Sequence, residues 1–171
     1  TMELKEYIRN IPDFPEDGIQ FKDITPLLKD KEAFQKSINL LKKHYQNKDI
    51  DYIVGIEARG FIVGTPLALA MNKGFIPIRK PGKLPAKKIK TAYDLEYGSN
   101  ELELHRDAIN SGDNILLIDD LLATGGTVRA SVELIEELGG NIVSIGFLLE
   151  LNELDGRSKL QGYDVFSLLK D

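Results

Sequence analysis

The sequence predicts a single α/β domain, residues 1–171, built on a central, mostly parallel sheet flanked by helices. Apolar runs of strand length, such as I-L-L-I at residues 115–118, carry no polar alternation, which fits strands buried on both faces. Stretches with apolar residues at helical spacing separate them, so strand and helix patterns alternate along the chain. At 171 residues the chain is long enough for one well-cored domain and too short for two.

Residues 4–9 read as a short helix, and residues 10–29 as irregular chain punctuated by Pro12, Pro15, Gly18 and Pro26. Phe21 stands out there, and packing onto the core is as good a reading of it as any other. Residues 33–45 form a helix with Phe34, Ile38, Leu41 and Tyr45 on one face. Residues 51–56 form a buried strand that stops at E-A-R-G-F, so Arg59-Gly60 opens the next helix, 61–71. A strand at 75–79 follows, then R-K-P-G-K-L-P with Arg79, Lys80 and Lys83 around Pro81-Gly82.

Residues 89–104 alternate loosely, with Leu102 and Leu104 on one side and Glu101 and Glu103 on the other. With Gly98-Ser99-Asn100 as a turn, they predict a hairpin, a plausible mobile cover between core strands. The run from Ile115 ends in Asp119 and Asp120, and a Thr/Gly-rich turn leads into a helix at 128–138. Val128, Val132, Ile135 and Leu138 form its apolar face, and Gly139-Gly140 ends it. Residues 141–150 are another apolar strand continued by L-N-E-L from Leu151. Residues 155–159 break the pattern, and 163–169 close the sheet as an edge strand.

The turn lies at the carboxyl end of a strand and the amino end of a helix, where open α/β sheets bind ligands. Backbone N–H groups of Ala123, Thr124, Gly125, Gly126 and Thr127 can converge there, aided by the helix dipole. No Lys of a P-loop is present, so a terminal monophosphate suits the turn better than a triphosphate. Two carboxylates beside a phosphate make sense as acceptors for a sugar diol, with a metal close by. A 5-phosphoribosyl group answers both halves. Arg59 offers a bidentate fork for pyrophosphate at a second strand–helix junction.

The composition is ordinary for a globular protein, and a net charge of -5 argues against nucleic-acid binding through a broad basic face. With no cysteine, disulfides and thiol catalysis are excluded. The amino end lacks the apolar core of a signal peptide, and the weakly polar run at 60–71 is too short and broken to span a bilayer. The expectation is a cytoplasmic protein with no membrane or nucleic-acid partner.

The motif D-D-L-L-A-T-G-G-T resembles the signature of the type I phosphoribosyltransferases, and among them most the adenine enzymes. The resemblance extends, in family order, to F-P-x-x-G-I-x-F-K-D-I-T-P-L-L, G-I-E-A-R-G-F, I-R-K-P-G-K-L-P and Y-D-L-E-Y-G. It implies transfer of the 5-phosphoribosyl group from 5-phosphoribosyl-1-pyrophosphate to adenine, giving AMP and pyrophosphate, with Mg²⁺ carried mainly by substrate near Asp119 and Asp120. It implies a homodimer, a hood at residues 1–30 and a flexible lid hairpin at 86–106. Phe21 then stacks on the base and the main chain near Gln20 and Lys22 reads its edge. Gly60, Arg79 and Lys83 join Arg59 at the pyrophosphate, Leu151 touches the base, and Glu96 and Tyr97 close over the site. The hypoxanthine-guanine enzymes have an Asp where this chain has Ala123, which leaves Glu96 as the carboxylate for the purine N7. Use of another purine, or a non-catalytic regulator on the same fold, are the alternatives.

Overall fold

The computed structural model describes residues 3–95 and 98–171. Five strands form the central sheet: β3 (Tyr52–Ile56), β4 (Gly74–Ile78), β7 (Asn114–Leu122), β8 (Asn141–Glu150) and β9 (Val165–Lys170). Their order is β4-β3-β7-β8-β9, and every neighbouring pair is parallel. Two antiparallel ladders stand apart from it. β1 (Arg9–Ile11) pairs with β2 (Phe21–Asp23), and β5 (Lys88–Leu95) pairs with β6 (Gly98–His105).

Successive side chains of a strand point to opposite faces, so each apolar run feeds both layers of core. Val54, Ile56, Ile115 and Leu117 pack with Val132 and Ile135 of α4 (Gly126–Glu137) and with Leu102 and Leu104 of the hairpin. Ile53, Leu116 and Ile118 pack on the other face. They meet Leu27 of α1 (Thr25–Lys29), Leu41 and Tyr45 of α2 (Lys31–Tyr45), and Leu67 of α3 (Arg59–Ala70). α2 begins earlier than its apolar spacing implies, because the Asp30 side chain accepts from the N–H groups of Glu32 and Ala33 and caps it.

Several expectations need correction. The N-terminal segment is a short 3-10 turn, Leu4–Tyr7, followed by a strand rather than a longer helix. The supposedly irregular stretch contains β2 and α1. Strand β7 does not end at the acid pair, because Leu121 and Leu122 still pair with Leu149 and Glu150 of β8. Gly98, Ser99 and Asn100 belong to β6, which pairs with β5 out to Leu95 and Gly98, and so are not the turn. Glu103 is buried, since its backbone pairs with Arg79 and its carboxylate accepts from the Gly82 N–H at 3.0 Å. Strand and helix do not alternate throughout: 3-10 turns alone, Asn152–Leu154 and Gly156–Leu160, connect β8 to β9. No helix among the described residues is long and apolar enough to cross a membrane.

Candidate active site

From β3 the sheet order runs one way to β4, and from β7 it runs the other way through β8 to β9. The connections therefore diverge between the carboxyl ends of β3 and β7, and a crevice must open there. A cavity of about 430 Å³ fills it. Its walls are the residues following β3 (Glu57, Ala58 and Arg59), the residues from Asp119 to Val128 apart from the buried Leu122, and Lys80, Tyr93 and Leu102.

The turn after β7 is shaped by Gly125, whose φ of +89° is a left-handed conformation that side chains other than glycine's rarely adopt. A Cβ there would also lie 2.7 Å from the Gly156 carbonyl oxygen. Gly125 precedes α4 and provides no side-chain cap. The N–H groups of Gly126, Thr127 and Val128 open the helix without acceptors inside it, and the helix dipole adds partial positive charge. The arrangement is an anion seat facing the cavity.

Across the cavity, Arg59 Nε lies 3.0 Å from Asp120 Oδ2, and the guanidinium carbon sits 5.7 Å from the centre of the Phe21 ring. The contact to Asp120 is an ion pair rather than an aligned hydrogen bond, since Oδ2 is buried and accepts no hydrogen bond among the described residues. Asp119 accepts the backbone N–H of Asp120 at 2.9 Å. Burial, and then the charge of Asp120, raise the Asp119 carboxyl well above the usual carboxylate range, against the pull of that N–H and of Arg59. Gly60 passes so close beneath that a Cβ would meet Asp119 Oδ1 at 2.9 Å. Burial would raise Glu57, but bonds from the Lys80 N–H at 3.0 Å and Arg79 Nε at 2.9 Å outweigh it and hold the carboxyl low.

Of the residues singled out from sequence, Arg59, Asp119, Asp120, Ala123, Thr124, Gly125, Gly126 and Thr127 share the cavity wall. Phe21 reaches the site through Arg59. Gln20 is exposed and accepts from Asn10 at 2.9 Å, while the Lys22 ammonium pairs with Asp171 at 2.7 Å. Arg79 is engaged by Glu57 and lies over the Phe61 ring, and Lys83 is exposed outside the wall. Leu151 also lies outside it, with its N–H donated to the Leu122 carbonyl at 2.9 Å. Glu96 and Tyr97 lie outside the described residues.

Lys80, from the basic cluster around Pro81-Gly82, also lines the cavity. Sequence reasoning passed over Glu57 and Tyr93, each inside a quoted motif, and Gly156, which no local pattern marks. The chain matches the family model of the phosphoribosyl transferase domain over residues 23–170. It is 72% identical over 170 residues to the adenine phosphoribosyltransferase of Halothermothrix orenii, covering 99% of this chain and all of that one. The crystal structure of adenine phosphoribosyltransferase from Thermoanaerobacter pseudethanolicus superposes with a TM-score of 0.95 at 55% identity, covering 98% of each chain. That of the Saccharomyces cerevisiae enzyme, complexed with an imino-altritol bisphosphate and adenine, has a TM-score of 0.91 at 43% identity, covering 96% of each. With its sheet, its crevice and its relatives in agreement, the chain belongs to the phosphoribosyltransferase family, among the adenine phosphoribosyltransferases.

Proposed function

We propose that the protein works in purine salvage, moving the 5-phosphoribosyl group of 5-phosphoribosyl-1-pyrophosphate onto adenine to give AMP and pyrophosphate. The cavity carries this reading. A phosphate seat, a carboxylate pair and a guanidinium line one cavity, and the donor's phosphate, diol and pyrophosphate call for those three groups. The turn of Ala123, Thr124, Gly125, Gly126 and Thr127 takes the 5-phosphate. Asp119 and Asp120 accept the ribose hydroxyls. Among the described residues Asp120 Oδ2 accepts no hydrogen bond and is held by the Arg59 ion pair, so it can take a hydroxyl as Arg59 turns away. Arg59 then exchanges Asp120 for the pyrophosphate, with Arg79, Lys83 and the Gly60 backbone supporting the charge. Phe21 stacks on adenine, the main chain at Gln20 and Lys22 reads its edge, and Leu151 borders it.

In the reaction the adenine N9 bonds to C1′ of ribose as the C1′–O bond to pyrophosphate breaks, and the N9 proton passes to the departing pyrophosphate. The transition state has oxocarbenium character, so holding the partners in line and stabilising charge supply most of the rate. Glu96, on the lid at 86–106, hydrogen-bonds N7, and Tyr97 excludes water. Residues 1–30 act as the hood of the same single domain.

Among the described residues no cluster of carboxylates, His or Cys is large enough to hold a metal alone. Mg²⁺ nevertheless fits, because it commonly keeps waters and binds one or two carboxylates together with substrate phosphates. Asp119 and Asp120 would be those carboxylates, and bound Mg²⁺ would neutralise the departing pyrophosphate. A second copy of the chain covers the outward face of α3, where Ile62 and Leu69 are 40% and 83% exposed, in a cytoplasmic homodimer. The test measures nucleotide formed from each purine base, with and without chelator. Adenine should be preferred by roughly 10⁴-fold, the discrimination a hydrogen-bonding site can reach. Hypoxanthine or guanine reacting within about tenfold of adenine would overturn the base assignment, and full activity in excess chelator would remove the metal.

A further inference from the structure

The turn read as the phosphate seat has a second backbone pressed against its outer side. A Cβ on Gly125 would lie 2.7 Å from the Gly156 carbonyl oxygen, and one on Gly156 would lie 2.5 Å from the Ala123 carbonyl oxygen and 2.7 Å from Leu122 Cδ1. Two main chains touch there with no room for a side chain between them. Gly156 has no unusual φ to explain it, so its lack of a side chain answers the contact alone.

The segment carrying Gly156 is the 3-10 turn Gly156–Leu160, and such a short element needs anchors. Arg157 supplies them. Its Nε donates to both Glu150 oxygens at 3.0 and 2.9 Å, and its Nη1 donates to the Val165 carbonyl at 3.2 Å. Glu150 is only 4% exposed and also accepts the Ser167 hydroxyl at 2.6 Å. Burial favours its protonation, yet the bonds from Arg157 and Ser167 outweigh burial and hold the carboxyl below its ordinary range. Glu150 also pairs in the sheet with Leu122, the last residue of β7 before the phosphate turn. The clamp therefore ties the turn to β8 and β9 and presses Gly156 against the seat.

We propose that Gly156 and Arg157 are positioning residues for the 5-phosphate, the first as a side-chain-free backstop to the 123–127 turn and the second as the clamp that keeps it in place. The proposal rests on reading that turn as the seat of the 5-phosphate. Neither residue lines the cavity, so both act through the turn.

The experiment measures binding of ribose 5-phosphate and, separately, of pyrophosphate by calorimetry, alongside thermal unfolding. Gly156→Ala must push the Ala123 carbonyl outward, and since a misplacement of about 1 Å can cost about 10²-fold, ribose 5-phosphate affinity should fall at least about tenfold. Pyrophosphate, held across the cavity at Arg59, should change by no more than about twofold, as expected of separate sites. Arg157→Met should show the same selective loss, and Arg157→Lys should recover part of it. If Gly156→Ala fails to fold, the Arg157 pair decides, and Arg157→Met binding ribose 5-phosphate as tightly as the parent overturns the proposal. Loss of both ligands in step with a fall in Tm also overturns it, because the clamp is then only structural. A parent protein that binds no ribose 5-phosphate sinks the reading of the seat itself.

Discussion

Removing Arg59 should cost stability as well as pyrophosphate binding, and the two losses can be separated. At 3.0 Å, unit charges in a medium of effective dielectric about 20 attract by roughly 5 kcal/mol. The Arg59 side chain is 44% exposed, which screens that attraction, and the Asp120 side chain, at 6%, has given up most of its hydration. After both discounts a net coupling of about 1–2 kcal/mol remains. Arg59→Ala strands a buried carboxylate, so Tm should fall by roughly 2–8 °C at the 2–4 °C per kcal/mol usual for a domain of this size. Adding Asp120→Asn removes the stranded charge and should restore most of that fall without restoring pyrophosphate affinity. Denaturant unfolding of the parent, both single variants and the double variant gives the coupling directly. A coupling below about 0.3 kcal/mol, the noise of independent sites, would show the pair to be incidental. Unchanged pyrophosphate binding by Arg59→Ala would remove the residue from the site.

Other tests address the remaining walls. Because the folded state raises the Asp119 carboxyl, ionising it costs folding free energy as pH climbs from the unfolded value of 3.8 through the folded one. Asp119→Asn should therefore melt higher than the parent at neutral pH, by a margin that shrinks on acidification, while binding the phosphoribosyl donor more weakly; a margin that grows on acidification contradicts the assignment. Phe21→Leu keeps bulk but loses the stacking face and should weaken adenine by about 2- to 10-fold, with little change in KM for the donor. An equal effect on both substrates would assign Phe21 to packing. Single-turnover kinetics should show Glu96→Gln slowing the chemical step by about 10²- to 10⁴-fold, with Glu101→Gln as control, and equal rates in the two would end the catalytic assignment.

Much of the fold was legible because parallel strands buried on both faces leave unbroken apolar runs, and β3, β7 and β8 each show one. What misled was local chemistry with a tertiary answer. Asp119 and Asp120 looked like the end of a strand, yet β8 supplies partners for Leu121 and Leu122 beyond them, so pairing overrides the polarity of two residues. Glu103 looked solvated by alternation, but the loop after β4 lies over that face and brings it the Gly82 N–H. Gly98, Ser99 and Asn100 carry turn propensity that the ladder with β5 overrides.

The site divides along the same line. Arg59, Asp119 and the glycines of the turn sit inside strand–turn–helix units, where spacing alone predicts what the backbone presents. The return from β8 to β9 lays Gly156 against a turn far away in sequence and Arg157 against Glu150, and no periodicity records that. Three residues of the wall are also locally unfavourable. Gly125 holds a left-handed conformation, Asp119 is a carboxyl whose ionisation is opposed, and Asp120 keeps a buried oxygen that accepts no hydrogen bond among the described residues. Stability must then come from the two core layers and from anchors behind the site, such as the Glu150–Arg157 clamp. Substitutions that relieve the wall should accordingly raise Tm while lowering turnover, whereas substitutions in the clamp should loosen the 5-phosphate without touching the ligand.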